Sequence, residues 1–567
     1  MAKKSPFDHD TKTIRPKWWR VLWRVLFGQT IPQKLFRAYI VVIFLGSILL
    51  YLPISLHNGE YKMVLDNDIN TRAYTYWDAL FIGVSALTNT GLTPAVISET
   101  LSTFGQVVMI VLMEFGGIGL MTVIYLIWNL FRFKNKRSNL NQIIMLQSER
   151  GNEKIASTFN SLKISVLFIL GCQIFFMFLY SFWLCWGPVH EQIPVTFDGY
   201  TVSTISSLTT DNTASYIPAH NNYGYALWQG LFFTVSAINN AGFDNFNGGI
   251  SIAAFRNDWN VIFQFMALIQ IIIGGIGFPL IYDLIEKIKF KRKGLTYKLS
   301  LFSRVALVSY FTIAILTAAA AFAFEFGYTG FQYTSTISDD TVGVNATATL
   351  SVPIYDIAHY KEYANEFGKN VMFNKCWAIF FNSMSTRSAG LGTINQSILS
   401  PGSQWLYIVT MFIGGSPSST AGGIRTTTLA VIIFTIIAKA RGRKDVNIFH
   451  KKIPDDTIRE SYLVTLTAIM LVAISAIVVF YTISLDPDKN VPEKYTVLQC
   501  VYEATSAFGT VGFSMGITSY INHFGQIILC FVMFVGQLGV SSMLLSWTKK
   551  DPKGNRVHYA EESIRIG

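Results

Sequence analysis

Gly509-Thr510-Val511-Gly512-Phe513 is the last of four short stretches that recur along this chain, and their alignment decides the fold. The other three are Thr88-Asn89-Thr90-Gly91-Leu92, Asn239-Asn240-Ala241-Gly242-Phe243 and Arg387-Ser388-Ala389-Gly390-Leu391. Aligned on Gly91, Gly242, Gly390 and Gly512, the residues ten positions earlier are all aromatic: Phe81, Phe232, Phe380 and Tyr502. Six and five positions earlier stand Ser85-Ala86, Ser236-Ala237, Met384-Ser385 and Ser506-Ala507. Each stretch is followed, at similar distance, by a glycine motif: Gly116-Gly117-Ile118-Gly119, Gly274-Gly275-Ile276-Gly277, Gly414-Gly415-Ser416-Pro417 and Gly536-Gln537-Leu538-Gly539. Self-similarity at this spacing marks one supersecondary unit used four times.

The surroundings are apolar. The chain has 567 residues, 51% hydrophobic and 14% charged, with a mean hydropathy of +0.38. Soluble domains carry about 25% charged residues, so these values indicate an integral membrane protein. The net charge of +11 could suggest a nucleic-acid partner, but its placement argues against one. Basic residues cluster beside apolar stretches: Arg15-Pro16-Lys17 with Arg20 and Arg24, then 132–137, 287–298, 439–452 and 549–556. That is the positive-inside pattern. Cys172, Cys185, Cys376, Cys500 and Cys530 lie in or beside apolar stretches without a CxxC pair, so neither a disulfide framework nor a zinc site is indicated. Lys3, Lys4, Asp8 and Asp10 make the N-terminus mixed in charge, unlike a cleavable signal peptide.

A span needs about 20 mostly apolar residues. Eight stretches qualify: 36–56, 105–131, 163–187, 259–287, 302–325, 404–440, 461–484 and 523–547. Between the members of each pair lies a shorter apolar segment, near 75–90, 226–241, 374–389 and 498–511. These are too short to cross, and irregular backbone at membrane depth survives only when buried or lining water, so they read as re-entrant. Connections within pairs are poor in Lys and Arg; residues 188–225 have none. Both termini and the loops between pairs are therefore expected on the cytoplasmic side of a plasma membrane. The predicted fold is an all-α polytopic membrane protein of four pseudo-fourfold helix–pore-loop–helix units around one pore. Residues 1–35 form a cytoplasmic lead, 36–150, 151–300, 301–455 and 456–550 the four units, and 551–567 a cytoplasmic tail.

Four re-entrant loops around one axis can replace an ion's hydration shell with main-chain carbonyls. Carbonyls that all face one axis need unusual backbone angles, which glycine supplies cheaply. The candidate filter is therefore Thr88, Asn89, Thr90 and Gly91; Asn239, Asn240, Ala241 and Gly242; Arg387, Ser388, Ala389 and Gly390; and Gly509, Thr510, Val511 and Gly512. The last set is close to the TVGYG signature of potassium channels. A lone glycine of this kind would more simply serve close helix packing; four in register favour the filter.

The repeats, the filter glycines and the segment Ile413-Gly414-Gly415-Ser416-Pro417-Ser418-Ser419-Thr420-Ala421-Gly422-Gly423-Ile424-Arg425-Thr426-Thr427-Thr428 resemble the KtrB/TrkH superfamily of potassium transporters. The resemblance runs from about Phe36 onward, and the short lead before the first span is similar to the KtrB branch. It implies channel-like potassium uptake by a homodimer with one pore per protomer, under a cytosolic nucleotide-binding ring of RCK (KtrA-like) type. It implies no covalent cofactor, with potassium as substrate and sodium as a candidate coupling or activating ion. It also makes 413–428 an intramembrane gating loop, with Gly414, Gly415, Ser416, Pro417, Ser418, Ser419, Thr420, Ala421, Gly422, Gly423 and Arg425 as gate residues. Proline and clustered glycines break the helix there, and seven Ser or Thr side chains can satisfy the freed backbone. The long outer connection 328–371 departs from that branch.

Single charges complete the candidate set. Arg425 near the end of the loop either opposes cations in the inner pore or snorkels to the interface. Asp244, two residues past Gly242, either gathers cations at the outer mouth or is a helix cap or a solvated loop acid. Glu114 is a functional acid or a hydrogen-bonding partner of a neighbouring unit. Arg387 and Glu503 are expected behind the filter, where they could pair. Basic runs such as 287–293 meet anionic lipid whether or not a protein docks on them. No Walker A pattern occurs, and His190, His220, His359 and His523 lack catalytic spacing, so no enzyme is indicated. The alternatives are a sodium-permeable or sodium-selective relative and an alternating-access transporter, which would need inverted repeats.

Overall fold

The computed structural model describes residues 31–65, 68–120, 122–123, 155–186, 195–197, 200–202, 222–246, 250, 261–326, 333–339, 344–350, 371–449, 451–484 and 496–547. The basic runs at 15–24, 132–137 and 549–556, His190, His220 and His359, and most of 328–371 lie outside these residues.

The protein is mostly helical. Each unit opens with a long helix: α1 (Ile31–Tyr51), α4 (Ile155–Trp186), α8 (Leu301–Phe326) and α12 (Asp455–Ser484). Among the described residues these four contain the single unbroken helices long and apolar enough to cross a membrane. They present Leu45, Phe175, Leu316 and Ile477 outward, as lipid-facing helices do. A short helix, the candidate pore helix, follows in each unit: α2 (Tyr76–Leu87), α5 (Tyr223–Ile238), α9 (Val371–Ser385) and α13 (Val497–Gly509). Three of these helices begin at a side-chain cap. Thr75 and Thr496 form capping boxes with Asp78 and Gln499, and Asn222 accepts from the Tyr225 amide. Phe81, Phe232 and Tyr502 at the aligned aromatic position are fully buried, whereas Phe380 is half-buried.

The second spans of the first, second and fourth units read as continuous helices, and only the third was expected to be interrupted, at 413–428. Instead each breaks at its glycine motif. The first runs as α3 (Thr103–Ile118) to Gly119, whose φ is 91°. The second is α6 (Val261–Gly275) and α7 (Phe278–Arg292), bent by 101° around Gly277. The third is α10 (Pro401–Phe412) and α11 (Thr426–Ala440), separated by the loop. The fourth is α14 (His523–Leu538) and α15 (Val540–Trp547), parted at Gly539. The cause is close packing: a Cβ on Gly116 would come within 2.9 Å of the Leu87 carbonyl carbon, and one on Gly536 equally near that of Phe508. The motif thus seats the second span beneath the pore-helix end, and left-handed glycines then turn the chain.

Among the described residues, four two-stranded antiparallel hairpins depart from a purely helical reading: β1 (Lys62–Leu65) with β2 (Asp68–Ala73), β3 (Val195–Phe197) with β4 (Tyr200–Val202), β5 (Tyr333–Asp339) with β6 (Val344–Leu350), and β7 (Asn447–Ile448) with β8 (Lys451–Lys452). The β5–β6 hairpin is the described part of the long outer connection.

Within α7 a buried carboxylate ties the second unit to the third. Asp283 accepts from the Ser303 hydroxyl at 2.6 Å, the Ser300 hydroxyl at 2.8 Å, the Tyr297 hydroxyl at 3.1 Å and the Ser300 amide at 3.2 Å. Burial, then the Asp283 charge, pushes the Tyr297 hydroxyl up to about 12. A raised folded pKa contributes stability that is complete below the unfolded tyrosine value of about 10 and is lost as pH rises through about 12. The unfolding midpoint should therefore fall across that window, and Tyr297→Phe should flatten the fall. An identical slope in the variant would refute the clasp.

Candidate ion pathway

Each of these short helices runs into its candidate filter stretch, three of them with the same local turn. The Thr90, Ala241 and Val511 amides donate back to the carbonyls of Ser85, Ser236 and Ser506 at 2.8, 2.8 and 2.9 Å. In the third unit, where Met384 holds the matching position, the Ala389 amide donates to Ser385 at 3.0 Å instead. Two residues per stretch take positive φ: Asn89, Asn240, Ser388 and Thr510 at 47–68°, then Gly91, Gly242, Gly390 and Gly512 at 67–95°. Asparagine tolerates that region. A β-branched threonine there is uncommon, and Thr510 is held by its side-chain bonds.

The four stretches meet. A Cβ on Gly91 would lie 2.6 Å from the Ala241 carbonyl oxygen, and one on Gly242 would lie 3.0 Å from that of Ala389. A Cβ on Gly390 would overlap the Val511 carbonyl, and one on Gly512 would overlap that of Thr90. The order closes, first unit to second, third, fourth and back to first. Thr90, Ala241, Ala389 and Val511 each bring one carbonyl to this ring, and all four residues are fully buried. The pore helices end here, so the negative ends of their dipoles also face the ring. Four carbonyls and four helix C-termini around one axis suit a desolvated cation and oppose an anion.

The loop 413–425 lies against the side of the ring where the short helices hand over to the candidate filter stretches. The Gly422 amide donates to the Thr510 hydroxyl at 2.8 Å and to that of Ser388 at 3.1 Å. Arg387 is fully buried; its Nη2 donates to the Gly414 carbonyl at 2.7 Å, and its Cζ lies 5.3 Å from the Tyr310 ring centroid. Toward the second unit, the Ser416 amide donates to the Gly275 carbonyl at 3.0 Å and the Thr420 amide to that of Gly274 at 3.3 Å. The Phe278 amide donates in turn to the Ser418 carbonyl at 3.0 Å. Toward the fourth unit, the Gly423 amide donates to the Gly536 carbonyl at 3.2 Å. Gln537 Nε2 donates to that of Thr420 at 3.3 Å. The second and fourth units are opposite in the ring, so a loop bonded to both crosses beneath it.

Arg425 caps no helix with its side chain; its guanidinium donates to the Ala421 carbonyl and, at 3.3 Å, to that of Gln537. It therefore braces the loop from within. Pro417 offers its carbonyl toward Gly277, and Gly415 packs on Ala421. Asp244 makes an Asx turn, accepting from the Phe246 amide at 3.2 Å, and is half-buried. Glu114 accepts from Gln173 of the second unit at 2.6 Å, the neighbouring-unit bond among the readings of this acid. Arg387 and Glu503 do not pair as suggested: Arg387 engages Gly414, and Glu503 accepts from the Thr518 hydroxyl. The shape of the third-unit break, which puts Gly414 against Arg387, separates them. Sequence reading gave no role to Tyr310 or Gln537, since neither lies on a repeated position whose partner is visible without the fold.

The chain matches the TrkH family model, described as a cation transport protein, over residues 54–559. It is 35% identical to an uncharacterized cation transporter of Mycoplasma pneumoniae, the MG322 homolog, across 96% of this chain and 97% of that one. It is 28% identical to the Ktr system potassium uptake protein D of Bacillus subtilis, across 96% of this chain and all of the other. Among solved structures, the potassium transporter TrkH from Vibrio parahaemolyticus shares the fold, with a TM-score of 0.54 and 13% identity over 90% of this chain and 84% of that one.

Proposed function

The chain belongs to the TrkH family of cation transport proteins, and from that premise we propose that it carries potassium into the cell through the ring of Thr90, Ala241, Ala389 and Val511 carbonyls. It is a multi-pass membrane transporter of the KtrB/TrkH kind and not an enzyme. The observation that carries the potassium reading is the closed order of Gly91, Gly242, Gly390 and Gly512 around one axis. It is supported by the Ktr potassium uptake protein among the relatives. Potassium sheds its water at the outer mouth near Asp244, exchanges it for main-chain oxygens, and then meets the loop 413–425. Membrane potential drives the inward step. Both termini face the cytoplasm in this reading, and a homodimer regulated by a cytosolic RCK-type ring is its expected working form.

In liposomes under defined gradients, rubidium should enter at least tenfold faster than sodium, a difference of about 1.4 kcal/mol in barrier. Equal entry of the two ions would replace this reading with that of a sodium-permeable relative. Arg425→Ala should raise flux through the resting protein severalfold, because it frees the loop from Gln537; unchanged resting and regulated flux would remove Arg425 from the gate.

A further inference from the structure

Four glutamines occupy one register, each ten residues before the first glycine of its unit's second-span motif: Gln106, Gln264, Gln404 and Gln526. All four are at least nine-tenths buried. We infer that they form a hydrogen-bonded girdle linking each unit to the pore helix of the next, and that this girdle sets the width of the carbonyl ring.

The bonds follow the ring order. Gln106 Oε1 accepts from Trp228 Nε1 of the second unit's pore helix at 2.8 Å, and from Asn245 Nδ2 at 3.3 Å. Gln264 Oε1 accepts from Trp377 Nε1 of the third unit's pore helix at 2.7 Å. Gln526 Nε2 donates to Asp78 Oδ1 of the first unit's pore helix at 3.2 Å. The third unit reaches the fourth through one more residue. Gln404 Nε2 donates to the carbonyls of Gln396, Ser397 and Leu399 at 3.4, 3.2 and 3.0 Å, and Gln396 Oε1 accepts from the Tyr502 hydroxyl at 3.2 Å. Every junction between units therefore carries a polar link from a buried glutamine at the beginning of, or along, a pore helix.

A buried amide with these bonds cannot slide without leaving a polar atom unpaired, so each link resists separation of two units. The filter hangs from the far end of the same short, rigid helices. Selectivity in a carbonyl ring depends on cavity size or on the field of its dipoles, and both change with the spacing of the four stretches. The glutamines are positioning residues: none belongs to the ring itself. This inference rests on the potassium reading above, because it concerns discrimination by that ring.

The test is rubidium and sodium flux of the full-length protein in liposomes, with Gln106→Met, Gln264→Met and Gln526→Met. Trp228→Phe and Trp377→Phe remove two of the same bonds from the opposite side and stand in where a glutamine variant fails to assemble. Gln270→Met is the control. Gln270 accepts from Tyr180 at 3.0 Å, a bond between helices of the second unit alone. Each girdle variant should lower the rubidium-to-sodium ratio about threefold to tenfold, the scale of one buried hydrogen bond. Gln264→Met with Trp377→Phe should fall no further than either change alone, since both remove one bond. Gln270→Met should leave the ratio intact even where it lowers the melting temperature. An unchanged ratio in the girdle variants, additive loss in the double variant, or an equal loss in Gln270→Met would overturn the inference. A wild-type protein that does not discriminate the ions would instead overturn the potassium reading, and the girdle would then fall if the variants also left the flux rate unchanged.

Discussion

Gly390→Ala is expected to reduce rubidium flux more than a hundredfold while leaving a protein that still assembles. The alanine Cβ would overlap the Val511 carbonyl, and the Gly390 φ of +67° is already in the left-handed region. The conformational penalty is about 1–2 kcal/mol. The overlap matters more, because the atom displaced is a backbone oxygen of the ring. It cannot move aside as a flexible side chain would. Val511 is fully buried, and its oxygen also lies 3.2 Å from the site a Cβ on Gly242 would take, so turning it away disturbs a third unit. A hundredfold loss corresponds to about 2.8 kcal/mol of barrier, which one misplaced carbonyl ligand readily accounts for. Gly512→Ala should behave alike through the Thr90 carbonyl. Flux within threefold of wild type in either variant, with the protein eluting as before on size exclusion, would remove the carbonyl ring from the pathway.

Arg387→Met should have the opposite sign on resting flux. The guanidinium donates to Gly414 at the start of the loop, while its Nε and Nη1 find no hydrogen-bond acceptor among the described residues. Burying a partly satisfied charge is costly, and methionine fills a similar volume, so the melting temperature should change little. A hydrogen bond from a charged donor contributes about 1.5–3 kcal/mol. Its loss should shift the loop toward release by about tenfold to a hundredfold. Single-turnover efflux of rubidium from loaded liposomes, without any cytosolic partner, reads this directly. Resting efflux that stays at the wild-type level would show that Gly414 is held by its other contacts and that Arg387 serves packing alone.

The short helices before the aligned glycines were legible because their signals are local and recur. The aromatic ten residues before each glycine, the small residues beside it and the short apolar length all come from one unit's own sequence. The pore helices accordingly fall at Tyr76–Leu87, Tyr223–Ile238, Val371–Ser385 and Val497–Gly509, close to the expected segments. The breaks in the second spans of the first, second and fourth units were not legible, since hydropathy runs straight through Gly119, Gly277 and Gly539. What decides them is the approach of another helix end, a contact between parts of the chain that no window along it contains. The same holds for Arg387, whose partners Gly414 and Tyr310 lie in different elements. The glutamine register is a different case. Gln106, Gln264, Gln404 and Gln526 stand at one spacing in plain view, but an apolar span with a single amide gives no reason to look for a partner until Trp228, Trp377 and Asp78 are seen across the junctions.

Three of the four junctions join units that follow one another along the polypeptide; the remaining one brings the last unit back to the first. There Gln526 bonds Asp78 across 448 residues, Arg72 donates to the Ser519 carbonyl at 3.5 Å, and Phe534 packs on Phe36 with ring centroids 5.1 Å apart. A ribosome adding about 5–20 residues per second needs roughly 20–90 s to make that much chain. For that interval the nascent first unit has Asp78 paired with Arg72 but without its amide partner, at the edge of an unfinished wheel. Membrane insertion must therefore tolerate an open seam, and slowed synthesis of the final unit would lengthen the time for which quality-control proteases can recognise it.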